Sequence, residues 1–252
     1  MTREETGFGG AYRSLEARMR DLAEADGDVF LPNPEPSRPV DYVFICMEPS
    51  LGRWARSPDE ARAKVSAGFR NFVSSFEDFI LHFCAREYLG GTYHVTDFSK
   101  GAMLVQRAGV ARAQRYDRWY GLLVEEMDLV AAPGAGIFAV GGAVARRLAR
   151  RAFPRPFLPV IHYSGLAAGA RSEGIVGHEG SFELFRGSVS LEHILAVAEE
   201  VLRASVPKRF WDETLARLAN SRLTESRQKL IFNYKLAFER VQKGSGRLWN
   251  SL

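Results

Sequence analysis

The spacing of apolar positions changes several times along the chain, and each change marks an element. Residues 11 to 24 carry apolar side chains at helical spacing. A Pro-rich stretch, LPNPEPSRPVD (31–41), breaks that pattern and predicts an extended lead-in. It runs into YVFIC (42–46), an unbroken apolar run suited to a strand buried on both faces. Residues 69 to 89 return to helical spacing, with apolar side chains at 72, 73, 76, 79, 80 and 83. TYHVTDFSK (92–100) predicts a strand that runs into a loop, and YDRWYGLLVEEMDLVA (116–131) a second helix. GIFAVGG (136–142) reads as a short buried strand and AVARRLARRA (143–152) as the helix after it. FLPVIHYSG (157–165) predicts a strand ending at His162, and SLEHILAVAEEVLRAS (190–205) a helix with Ser190 as its cap.

Strands that alternate with helices predict a parallel, doubly wound sheet. The expected class is α/β, a three-layer α/β/α arrangement around a short central parallel sheet. Each candidate strand ends at something polar or glycine-rich: Glu48, Asp97, Gly141 and His162. The ends of parallel strands share one edge, and that edge is where open α/β sheets bind ligands. Residues more than a hundred positions apart are therefore expected to line one cleft.

Composition narrows the function classes. The chain has 252 residues, 46% apolar and 25% charged, which suits one generous domain or a domain with an appendage. No apolar run approaches the roughly 20 residues of a spanning helix, and the N-terminal MTREETGFGG has no apolar h-region. No membrane partner and a cytoplasmic, reducing setting are expected. The two cysteines, Cys46 and Cys84, cannot alone build a disulfide framework, a four-Cys zinc site or an iron–sulfur cluster, and are expected to be buried. His82, His94, His178 and His193 show no metal-ligand spacing, so no metal is expected. Lys100 is expected at the surface.

The net charge of +4 permits an anionic partner without requiring one. Residues 205–252 alone hold ten Lys or Arg against four Asp or Glu. This separates a basic helical C-terminal extension from a domain spanning 1–204, whose helix and Pro-rich lead-in occupy 1–40. The extension reads either as helices packed on the sheet domain with solvated charges or as a surface that grips a phosphate backbone.

Four stretches, ICMEPSLG, YHVTDFSK, IFAVGGAVARRL and VIHYSGLAAGAR, resemble in that order the motifs of the uracil-DNA glycosylase superfamily. The resemblance covers roughly residues 40 to 200, with the first 40 residues and the tail outside it. It implies a monofunctional DNA glycosylase that flips a nucleotide out of single- or double-stranded DNA. Water would then cleave the N-glycosyl bond, with no cofactor and no obligate protein partner. It assigns Glu48 to the group that stabilises the sugar cation and positions water. His162 becomes the imidazole that stabilises the departing base. Ser164 and Arg171 would contact phosphates, and Leu166 would be the apolar wedge that enters the stack. A base-stacking aromatic is expected among Phe69, Phe72 and Trp54, with Phe69 favoured.

The chain departs from the family pattern at four positions. Cys46 replaces a glycine, Glu48 is longer than the usual Asp or Asn, and Tyr163 replaces a proline. Asp97 stands where uracil readers carry asparagine. An ionised Asp only accepts hydrogen bonds, so opposite the O4 of uracil it would set acceptor against acceptor, while it suits the amino group of cytosine. Ser50, where strict uracil readers carry a bulky tyrosine, leaves room at C5. Together these imply a modified cytosine-type base, such as 5-hydroxymethyl- or glucosylated cytosine of phage DNA, and hence a role in antiviral defence. The alternatives are a repair glycosylase for uracil or another deaminated base, and a catalytically inactive DNA-binding module on the same fold. A metal-dependent nuclease or nucleotide hydrolase is a more remote one.

Overall fold

A computed structural model of the chain describes residues 3–52, 54–107 and 109–243; the side chains of residues 3–6 and of Leu166 lie outside that description. Helix α1 (Arg3–Ala25) precedes a short strand β1 (Val29–Phe30) and the long strand β2 (Val40–Cys46). Helices α2 (Pro58–Ser66) and α3 (Phe76–Leu89) lead to β3 (Tyr93–Asp97) and the short β4 (Gly101–Ala102). Helix α4 (Arg112–Val130) feeds β5 (Ala131–Val140), and α5 (Gly142–Arg150) feeds β6 (Leu158–Val160). Five helices follow: α6 (Ala168–Glu173), α7 (Glu179–Arg186), α8 (Leu191–Ser205), α9 (Trp211–Ala219) and α10 (Glu225–Lys243).

The main sheet is fully parallel, in the order β3-β2-β5-β6, and β1 pairs with β4 in a separate antiparallel ribbon. From β2 the chain moves to one side for β3, then returns to the other side of β2 for β5. Crevices beyond the carboxyl ends of open parallel sheets form at such a reversal.

The apolar runs work because both faces of the sheet are covered. Phe44, Cys46, Phe138 and Val140 point into one apolar cluster with Phe79 of α3, Ala198 of α8 and Phe238 of α10. The alternate residues Val43, Ile45, Ile137 and Ala139 point into a second cluster with Leu15 of α1, Trp119 of α4 and Leu148 of α5. This is the period-2 alternation of a pleated strand, and it makes an α/β molecule compatible with a three-layer α/β/α fold. Both cysteines are buried, and among the described residues no helix is long and apolar enough to cross a membrane.

One sequence expectation needs correction here. The helix expected from residue 69 begins only at Phe76. Ser75 Oγ accepts from the Asp78 N–H at 3.0 Å and Asp78 Oδ2 accepts from the Ser75 N–H at 2.7 Å, a capping box that starts the helix there. The tail takes the first of its two expected forms, helices packed on the sheet domain. The Phe238 ring lies 5.6 Å from Phe44 and 4.9 Å from Phe138, and Tyr234 donates its hydroxyl to the Ile161 carbonyl at 2.8 Å. Helix α10 therefore belongs to the core of the sheet domain. Much of its positive charge is matched locally, in the pairs Lys229–Glu225, Lys235–Glu239 and Arg227–Glu77. Residues 244–252 lie outside the described residues.

Candidate functional site

A cavity of about 360 Å³ opens beyond the carboxyl ends of β2, β3 and β6. Glu48 and Ser50 enter it from the loop after β2, Asp97 from the end of β3, and His162 and Tyr163 from the segment after β6. Parallel register sets Cys46 beside Asp97. At the end of β5, Gly141 makes room for the imidazole. Its φ is +96°, and a Cβ there would come within 3.0 Å of His162 Cβ, so the position needs glycine on both counts.

The local hydrogen bonds set the state of His162. Its Nδ1 accepts from the Ser164 backbone N–H at 2.9 Å, which puts the ring proton on Nε2. Burial, and then the nearby Arg171, lower its pKa. The ring stacks on Tyr163 at 4.8 Å. The result is a neutral imidazole with one N–H to give.

Arg171 does not reach outward. Its guanidinium is buried and donates to the carbonyls of Tyr163 at 2.5 Å and Ser164 at 2.9 Å, and to Ser226 Oγ of α10 at 3.0 Å. It ties the His162 loop to the C-terminal helix, which overturns its expected phosphate role. Ser164 spends its backbone N–H and carbonyl on the same loop. The Leu166 side chain, the expected wedge, lies outside the described residues.

Glu48 meets a cage of donors. Arg112 Nη2 lies 2.6 Å from one carboxylate oxygen, Arg115 Nη2 lies 2.9 Å from the other, and the Tyr116 hydroxyl donates to that second oxygen as well. All three donors come from the first turns of α4. A carboxylate offers about four acceptor sites, and these partners take three of them. The remaining site can hold a water, while the two guanidinium groups offset much of the field that the carboxylate projects into the cavity.

Asp97 has the opposite surroundings. It is 2% exposed, and among the described residues no cation pairs with its carboxyl. Lys100 is close but gives its protons to the Asp97 backbone carbonyl, at 2.7 Å, and to Glu126. Burial, only partly opposed by Lys100 and by Asn71, pushes the Asp97 pKa up to about 8. At neutral pH the group is a carboxylic acid, with one donor and one acceptor.

An ordered chain of side chains fixes which oxygen is which. Glu126 accepts from the Thr96 hydroxyl at 2.9 Å, from Lys100 and from His94. Burial alone would raise its pKa, but Lys100 and His94 win and hold it at about 2. Thr96 Oγ1 in turn accepts from Asn33 Nδ2 at 2.9 Å. Asn71 Oδ1 accepts from the Phe72 N–H at 2.9 Å, so its amide nitrogen faces Asp97 Oδ2, 2.6 Å away. Oδ2 therefore accepts from Asn71, which favours Oδ1 as the proton-bearing oxygen of the neutral acid.

Phe69, the favoured stacking aromatic, does not line the cavity. It lies buried against Trp54 at 5.0 Å and Phe210 at 5.3 Å. Phe72 and Trp54 do line it. Phe72 has φ of +57°, a strained value for an aromatic residue. It is held there by its N–H bond to Asn71 and by a bond between its carbonyl and His82 Nε2 at 3.0 Å. Backbone strain of this kind clusters at ligand clamps.

Several of these residues escaped the sequence reading: Asn71, Arg112, Arg115 and Glu126. Lys100, expected at the surface, is instead buried. Glu126 carried a signal. It falls inside the apolar stripe Trp119, Leu123, Met127, Val130 of α4, and an acid on a buried helix face needs a partner. No family model, curated protein or solved structure matches the chain.

Proposed function

We propose that the chain is a DNA glycosylase, a divergent relative of the uracil-DNA glycosylase superfamily, and that it excises a substituted cytosine by hydrolysis. One observation supports this above the others. An acid, a neutral imidazole donor and a two-point hydrogen-bonding carboxyl, from three strand ends, line one cavity of nucleobase-accommodating size. The motif order along the chain adds to it.

In this reading the flipped base stacks on Phe72 and meets Asp97 edge-on. The neutral acid gives its Oδ1 proton to a ring acceptor and takes a proton at Oδ2, which suits cytosine N3 and N4. A neutral acid can also match uracil with the order reversed, so Asp97 alone does not decide the base. The case for a substituent at C5 comes from Ser50, which is short and exposed at the cavity rim.

The C1′–N1 bond breaks and its electron pair leaves on the base. His162 Nε2–H donates to the base O2 and stabilises that charge. The water held at the remaining acceptor site of Glu48 bonds to C1′ and releases its proton, and the base takes up a proton from solvent. The products are a free base and an abasic sugar. Glu48 acts here mainly by placing the water, because Arg112 and Arg115 offset its charge.

The test is a set of oligonucleotides carrying uracil, hypoxanthine, cytosine, 5-hydroxymethylcytosine or glucosylated cytosine at one position. Abasic-site formation should be fastest at a C5-substituted cytosine. Cleavage at uracil alone would replace this reading with a repair glycosylase, and tight binding with no base release would replace it with an inactive DNA-binding module.

A further inference from the structure

The cavity has a second wall that the excision reading leaves unused. It is built by the start of α3, which contributes Ser74, Ser75 and Glu77, and by the C-terminal segment, where α9 contributes Arg217, the connection after it Ser221 and α10 Arg227. A pyrimidine is a small flat ring and needs only the strand-end side. At about 360 Å³ the whole space lies within the roughly 300–1,000 Å³ of pockets for larger ligands.

The chemistry of this wall is specific. Arg227 places both its Nε and Nη2 on Glu77 Oε1, at 2.9 and 2.7 Å, and lies over the Phe76 ring at 4.3 Å. Arg217 donates to the Ser74 carbonyl, and Ser221 Oγ donates to the Arg217 carbonyl at 3.3 Å. Ser75 Oγ accepts from the Asp78 N–H, which leaves its hydroxyl proton for another acceptor. The wall therefore offers hydroxyls, guanidinium N–H groups and a carboxylate edge, with Arg227 and Glu77 cancelling in charge. An apolar substituent would use none of the N–H, O–H and lone-pair positions that the protein's own bonds leave over, and a phosphate would face Glu77. A neutral polyhydroxyl group matches them, because vicinal hydroxyls both donate to a carboxylate and accept from a guanidinium.

We propose that this wall is a subsite for a neutral hexose carried on C5 of the flipped base, so that the preferred substrate is a glycosylated cytosine. The assignment rests on the base-excision reading for its chemistry and gives the C-terminal helices a job in specificity. It also accounts for a short side chain at position 50, which lines the same cavity.

Two measurements on the full chain test it. In the first, single-turnover excision is compared on DNA with 5-hydroxymethylcytosine and with its glucosylated form, for the native protein and for Ser221→Phe and Arg217→Ala. The native protein should favour the glucosylated base, and each variant should lower that preference about tenfold, the scale of one or two lost hydrogen bonds. Equal losses on both substrates would overturn the subsite, as a phosphate contact or a fold defect would produce them. In the second, binding of methyl glucoside alone is followed by saturation-transfer NMR. Binding that Ser221→Phe abolishes supports the subsite even if no DNA loses a base, in which case the excision reading alone fails. No binding and no preference for the glucosylated base would overturn it.

Discussion

Two carboxyl groups stand at neighbouring strand ends of this molecule and are treated in opposite ways. Glu48, beyond β2, is surrounded by Arg112, Arg115 and Tyr116. Asp97, at the end of β3, is buried against an amide and a chain of hydrogen bonds that leads away to Glu126. Lys100 is within reach of Asp97 but is committed to Glu126 and to a backbone carbonyl. The same functional group is thus caged by guanidinium groups and a hydroxyl at one strand end and set as a donor–acceptor pair at the other. The environment, and not the residue type, divides the labour.

That contrast can be broken at either end. The largest effect is expected at the caged group. Glu48→Ala would remove the carboxylate that the buried Arg115 shares with Arg112 and Tyr116, and should destabilise the fold by about 3–5 kcal/mol in urea titrations. A loss near zero would mean that the cage does not hold the carboxylate. The next effect is at the uncharged group and has the opposite sign. Asp97 keeps its proton in the folded chain up to about pH 8, but loses it near pH 4 when unfolded. Folding then takes up a proton between those values, and stability falls as pH rises through the window. Asp97→Asn should therefore gain on the order of a few kcal/mol over the native chain at pH 8 and almost nothing at pH 4. A difference that does not change with pH would show that Asp97 is ionised in the folded state. The smallest effect concerns the outer member of the cage, Arg112, whose side chain is 42% exposed. Arg112→Ala should weaken DNA binding modestly and reduce the salt slope by about one. An unchanged slope would remove Arg112 from the DNA-facing surface.

The sheet was legible because its central strands are unbroken apolar runs, β3 is a short stretch rich in β-branched and aromatic residues, and the helices between them keep one period. YVFIC, YHVTD and GIFAV all became strands, and their shared edge brought Glu48, Asp97 and His162 together. Less legible was anything set by partners distant in sequence. The helix at 69–89 looked continuous because Phe72 and Val73 fit its apolar stripe, but Ser75 and Asp78 cap it later and leave Phe72 in a strained loop. Arg171 read as a phosphate contact because nothing in its local sequence tells of Ser226 or of the carbonyls it meets. Phe69 was favoured over Phe72 although both are aromatic and only three residues apart; which of them faces a cavity depends on a positive φ that a phenylalanine rarely adopts. The tail looked separable because its charges are conspicuous, whereas Tyr234 and Phe238, which anchor it, are ordinary members of a helical stripe.

We propose that an acid and a neutral imidazole act across one sugar–base bond. Mass spectrometry of the small molecule released from DNA containing 5-hydroxymethylcytosine or its glucosylated form, with the native chain and with His162→Ala, decides it. A free base and a matching abasic site are expected, with release slowed about 10²–10³-fold in the variant, the scale of one lost transition-state donor. Release of nucleotides instead of bases, or no small molecule from any DNA, would contradict it.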